Sequence, residues 1–121
     1  FKIGEPAADL ALVLAMASSL YNCPLDPEMF AFGEVGLSAE IRSVSQAQRR
    51  VTEAARLGLK TCVLPESCLE GLRVPQGMKA IGVRTLRQAA NAVLSKDLNK
   101  RLEQDQPVGL NWESEAALEP R

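Results

Sequence analysis

The stretch GEVGLSAEIRSVSQAQRR, residues 33–50, changes its period twice. Together with the residues just before it, Met29 to Val35 alternates well enough for a strand. Gly36-Leu37-Ser38 then has turn composition, and Glu40 to Val44 reads as a second strand. Ser45 opens a helix that runs to about Leu57 and closes at Gly58, a residue suited to the left-handed end of a helix. Ser45 and Gln48 have the spacing of a capping box, in which Gln48 reaches back to the Ser45 N–H. Ala47, Val51, Ala54 and Ala55 recur at helical spacing and form the inward face, leaving Gln46, Arg49, Arg50, Glu53 and Arg56 outward.

Upstream, Gly4-Glu5-Pro6 leads into an apolar helix from Ala8 to Leu20. Leu10, Leu12, Val13, Leu14 and Met16 do not share one narrow stripe, so this helix is expected to be buried on several sides. Downstream, Lys60 to Leu64 reads as a buried strand stopped by Pro65, and Lys79 to Val83 as another after the turn at Pro75-Gln76-Gly77. Thr85 and Gln88 have capping-box spacing at the start of a last helix ending near Leu94. The order predicts an α/β (α+β) domain over residues 1–94, a small mixed sheet covered by helices. Residues 95–121 turn polar and acidic and read as a mobile tail, with Trp112 its one large apolar side chain. The start at Phe1, inside ordered-looking sequence, suggests a piece of a longer protein.

With 121 residues, 46% hydrophobic and 24% charged, the chain suits one water-soluble domain. Net charge is only −1, but acidic residues dominate 1–35 and 96–121 while basic ones dominate 36–95. An anionic partner would therefore meet the middle of the chain. Cys23, Cys62 and Cys68 lack metal-ligand spacing, and with no histidine present a zinc site or histidine-based triad is not expected. No Gly-rich phosphate loop occurs, and the apolar run Leu10–Ala17 is too short to span a bilayer.

Several segments together resemble the C-terminal Lon-type peptidase domain, and within it the version found in RadA (Sms) bacterial DNA-repair proteins. They are Pro6-Ala7-Ala8-Asp9-Leu10-Ala11, Phe32-Gly33-Glu34-Val35-Gly36-Leu37-Ser38, Glu40-Ile41-Arg42, Arg50, Glu53-Ala54-Ala55 and Leu57-Gly58. Ala39 stands where that family usually has glycine. The resemblance places the peptidase serine at Ala7 and its lysine partner at Gln48. An alanine offers no nucleophile and an amide is no base, so peptidase activity is not expected. A relocated dyad through Ser18 or Ser19 is the remote alternative, since both sit about three turns from Ala7. Ser38 and Ser45 are better explained as turn and cap residues.

The arginines read in two ways. Arg49–Glu53 and Glu53–Arg56 have ion-pair spacing for a solvated face, yet one glutamate does not balance three arginines. Arg42, Arg49, Arg50, Arg56 and Lys60 form the candidate DNA-contacting set, neutralising phosphates without reading bases. Aromatic residues do not interleave with them, which favours duplex over single-stranded DNA. The resemblance implies a role in a hexameric ring, with branch migration driven by a RecA-like ATPase whose ATP and magnesium sites lie outside this chain. It also implies recombinase or helicase partners and a bacterial cytoplasm, or an organelle of bacterial descent. The alternative is a purely structural module whose arginines face a neighbouring subunit.

Overall fold

The computed structural model describes residues 5–94; the expected tail and Trp112 lie outside them. A single 3-10 turn, Pro6–Ala8, runs directly into helix α1, Asp9–Tyr21. Strands β1 (Met29–Ala31), β2 (Glu34–Val35) and β3 (Ile41–Arg42) precede helix α2, Ala47–Arg56. Strand β4 (Thr61–Pro65), a 3-10 turn at Glu66–Cys68, strand β5 (Lys79–Val83) and helix α3 (Leu86–Val93) complete the order.

Three strands form a parallel sheet in the order β1-β4-β5, while β2 and β3 pair separately as an antiparallel hairpin. Parallel and antiparallel pairings thus occur in two sheets instead of one mixed sheet. The period-2 alternation sorts the side chains of the parallel sheet. Ala31, Val63 and Val83 pack with Leu10 and Leu14 of α1 and Ala89 of α3. Phe32, which continues β1, packs with Cys62 and Leu64 against Val51 of α2 and Ala7. The result is three layers, with α1 and α3 on one side and α2 on the other. Central β4 carries the run Cys62-Val63-Leu64-Pro65, buried throughout, as a strand covered on both faces requires. Burial pushes the Cys62 thiol up to about 12, so it stays protonated near neutrality.

The predicted strand Met29–Val35 is broken in two at Gly33. Gly33 donates its N–H to the Ala7 carbonyl (2.9 Å) and accepts from Leu10 N–H (3.0 Å). The second bond satisfies one of the donors left without an intrahelical partner at the start of α1. The chain thereby leaves β1 and enters the hairpin. The predicted second strand, Glu40–Val44, contracts to Ile41–Arg42, extended by one bridge from Glu40 to Thr85.

The hairpin turn holds Ala39 at φ +62°, with its N–H on Gly36 O and its carbonyl accepting from Leu86 N–H. An alanine there has its Cβ crowded against its own backbone, which costs on the order of 1–2 kcal/mol. Ala39→Gly should therefore stabilise the domain by about 0.5–1 kcal/mol net of glycine's greater unfolded-state freedom. A rise of a few degrees in the thermal midpoint would report it; a fall would mean that the turn tolerates the side chain without strain.

Helix α1 departs most from expectation. Leu10, Leu14 and Tyr21 are buried, but Leu12, Met16 and Leu20 are 44%, 62% and 52% exposed. The helix is covered on one side only. Its apolar character all round reflects an uncovered apolar face and not central burial.

Candidate functional site

The two positions that the resemblance assigns to a catalytic pair are occupied structurally. Ala7 is 2% exposed and packs with Phe32, Val51, Cys62 and Leu64. Its N–H donates to Glu5 Oε1 at 3.2 Å. Gln48 turns its amide outward onto the loop before β5. Its Oε1 accepts from Arg73 N–H at 2.8 Å, and its Nε2 donates to the Arg73 carbonyl at 2.9 Å and to Thr52 Oγ1 at 3.2 Å. One side-chain amide thus pairs with both backbone groups of Arg73, as a strand neighbour would.

This corrects the capping box expected between Ser45 and Gln48. The N-cap of α2 is Gln46, in a left-handed conformation and without a side-chain cap bond. The Ser45 carbonyl instead accepts from Arg50 Nε at 3.0 Å. The second predicted box does form at one of its bonds, with Gln88 N–H donating to Thr85 Oγ1 at 3.1 Å. Its Gln88 Oε1 accepts from Arg84 N–H, one residue earlier than a standard box. Ser18, considered as a relocated nucleophile, donates its hydroxyl to the Cys23 carbonyl and helps close α1. Among the described residues, no serine hydroxyl bonds to a lysine, and no group of three or more His, Cys, Asp or Glu could hold a metal.

The five candidate cations fall into three groups. Arg50, half-buried, reaches Glu5 at 3.3 Å and lies 5.9 Å from the centroid of the Phe32 ring. Its guanidinium fastens α2 to the turn before α1, and it does not simply point away as the helical wheel suggests. Arg42 and Arg56 are exposed but paired, Arg42 with Glu40 at 2.9 Å and Glu34 at 3.9 Å, and Arg56 with Glu53 through Nε at 3.1 Å. Such exposed pairs are weak and can exchange for a phosphate. Arg49 and Lys60 have no ion-pair or side-chain hydrogen-bond partner among the described residues. The expected Arg49–Glu53 pair makes no close contact, because Glu53 bonds to Arg56, and it persists only as a weaker attraction that helps lower the Glu53 carboxyl.

Glu40 ties the hairpin together. It accepts from Ser38 N–H at 2.9 Å while bonding to Arg42. Its own backbone N–H, then Arg42 and Ser38, hold its carboxyl below the usual carboxylate range. A lowered folded-state pKa means that this brace is intact above the ordinary carboxylate pKa and is lost as pH falls through the lowered value. In an NMR pH titration the Glu40 carboxyl should titrate below an ordinary glutamate, and Arg42→Ala should move it upward. An unchanged titration in that variant would remove Arg42 as a cause.

Two of the candidate cations, Arg49 and Arg50, border an open groove of about 360 Å³ between α2 and the edge of β1. Phe30, Ala54, Leu57 and Leu59 give it apolar walls, with Gln46, Arg49, Arg50 and Glu53 also lining it. Sequence reasoning missed this groove and the uncovered face of α1. A helical wheel of α2 gave Leu57 no side, and the apolar count of α1 suggested burial.

Comparison with known proteins agrees with this architecture. Residues 2–99 match the family described as the Lon protease (S16) C-terminal proteolytic domain. The chain is similar to the DNA repair protein RadA of Streptococcus pyogenes serotype M1, 44% identical over 94 residues, covering 78% of this chain and 21% of that protein. It is 43% identical over 93 residues to the DNA repair protein RadA of Bacillus subtilis (strain 168), covering 77% of this chain and 20% of that one. The DNA repair protein RadA of Streptococcus pneumoniae (strain ATCC BAA-255 / R6) is 38% identical over 94 residues, 78% of this chain and 22% of its own. The chain thus spans about a fifth of the length of the curated relatives it matches.

Proposed function

This chain belongs to the Lon protease (S16) C-terminal domain family, in the version carried by RadA repair proteins, and from that premise we propose that it is a non-peptidase module for DNA contact and ring assembly. The remaining four-fifths of such a protein would hold the DNA-dependent ATPase, with its ATP and magnesium, that drives branch migration. Ala7 and Gln48, at the positions assigned to the catalytic pair, supply neither nucleophile nor base, and each already serves the packing of the domain. No described helix is long and apolar enough to cross a membrane, and DNA repair would place the module in the bacterial cytoplasm.

The observation that carries the DNA role is the charge of Arg49 and Lys60, neither of which is held in a close ion pair, together with the exposed and exchangeable Arg42 and Arg56. Arg50 contributes least, being held by Glu5, Ser45 and Phe32. Contacts of this kind act on backbone phosphates, so binding should ignore sequence and weaken with salt. The assembly role draws on a different observation, the apolar exposed face of α1, which a monomeric domain would ordinarily cover with polar residues. A purely structural module, without DNA contact, would rest on that face alone.

The test is titration of a labelled duplex of arbitrary sequence across a salt series, with sedimentation of the same samples to hold the assembly state in view. Removing two phosphate contacts in Arg49→Ala/Lys60→Ala should reduce the slope of log K against log salt by about 2. No binding at low salt would leave only the structural role, and an unaltered slope in the variant would remove Arg49 and Lys60 from the DNA contact.

A further inference from the structure

We infer that the apolar face of α1 on one copy of this domain seats in the α2–β1 groove of the next. The inference rests on the ring-assembly reading above and names the two surfaces that would carry it. The face is continuous: Leu12, Met16 and Leu20 recur every fourth residue, with the exposed small residues Ala11 and Ala15 beside them. At 1.5 Å per residue the helix is about 20 Å long, and no charged residue lies between Asp9 and Asp26. A helix on a protein surface ordinarily turns polar residues outward, so a face of this composition needs cover.

The groove supplies cover of matching character. Phe30, Ala54, Leu57 and Leu59 line it, and Leu57 is 67% exposed, an apolar side chain with little to touch within its own domain. Because α1 and α2 lie on opposite sides of the parallel sheet, face and groove cannot meet within one copy. Charge favours the same pairing. Residues 5–35, which contain α1, have neither lysine nor arginine; of their five carboxylates, Glu5 and Glu34 pair with Arg50 and Arg42 of the same copy, which leaves Asp9, Asp26 and Glu28. Asp26 and Glu28, exposed after α1, have no ion-pair partner among the described residues, and Arg49 on the groove makes no close ion pair, feeling Glu53 only at longer range while Glu53 bonds to Arg56. Joining the acidic side of one copy to the basic side of another satisfies both, whereas face-to-face packing of two α1 helices brings together surfaces of one sign.

A contact between two different patches is heterologous, so two copies joined by it keep a free face at one end and a free groove at the other until a ring closes. That asymmetry gives a decisive experiment, sedimentation velocity of the 121-residue chain and two variants of exposed residues, Met16→Glu and Leu57→Glu. Wild-type chain should form concentration-dependent oligomers. Each variant alone should lose about thirtyfold or more in association, as expected when the centre of a contact is disrupted. An equimolar mixture should form a dimer and stop there, because each variant retains the half that the other lacks. Assembly of Leu57→Glu alone to the wild-type extent, or a mixture that stays monomeric while wild type assembles, overturns the pairing but leaves ring assembly standing. A wild-type chain that remains monomeric at every concentration overturns both. Unchanged circular dichroism melting in the variants excludes unfolding as the cause of a loss.

Discussion

Phe32→Ala is expected to lower the stability of this domain by about 3–5 kcal/mol. The ring is 2% exposed and among the largest fully enclosed side chains. It packs with Ala7, Val51, Cys62 and Leu64, lies 5.7 Å from the Phe30 ring, and carries the Arg50 guanidinium at 5.9 Å. Truncation leaves a void between α2 and the sheet that rigid neighbours fill only in part. It also removes the surface that orients Arg50, so the Arg50–Glu5 bridge between α2 and the first turn loosens as well. Domains of this size are stable by roughly 5–15 kcal/mol, so one substitution consumes a large fraction. The urea midpoint should fall steeply with little change in slope. A loss below about 1 kcal/mol would mean that the α2 layer does not depend on this contact.

Gly33→Ala is expected to destabilise by about 2–4 kcal/mol, for a different reason. The backbone there has φ +156°, and an added Cβ would stand 3.0 Å from Ile41 Cγ2, 3.3 Å from Pro65 Cγ and 3.4 Å from Leu10 Cδ2. All three neighbours belong to the core or its edge, and the hydrogen bonds to Ala7 and Leu10 leave the backbone little room to shift. Gly58→Ala provides the control. Gly58 also has a positive φ, +88°, but nothing lies within 4 Å of its Cβ position. That substitution carries backbone strain without a collision and should lose only about 1 kcal/mol. Equal losses at the two sites would show that crowding at Gly33 is relieved and that strain alone remains.

The elements were legible where local pattern and tertiary role agree. The short apolar runs of β4 and β5, the Thr85 cap and the glycine after α2 all act over a few residues. Gly58 N–H bonds to Ala55 O and Leu59 N–H to Ala54 O, the closure that a glycine at this position predicts. What pattern did not reveal was set by partners distant in sequence. Met29–Val35 alternates as one strand, but the bonds from Gly33 to Ala7 and Leu10 divide it between two sheets. Ser45 has the chemistry of a cap, yet Arg50 claims its carbonyl and Arg73 claims Gln48. The candidate cations were found by charge count, but counting does not say which are already paired. Arg50 with Glu5 spans 45 residues, and no local window contains both.

The grip of Gln48 on Arg73 bears on the chemistry open to such a domain. On the correspondence proposed above, position 48 is where a peptidase keeps its base. A lysine there has three donors and no acceptor, so it would abandon the Arg73 N–H and release the loop before β5. A serine at position 7 would meanwhile place a hydroxyl in a pocket only 2% open to solvent. On that correspondence the tether and the base exclude one another: Gln48→Lys gives up the hold on Arg73, Ala7→Ser encloses a hydroxyl, and neither change alone supplies a working pair.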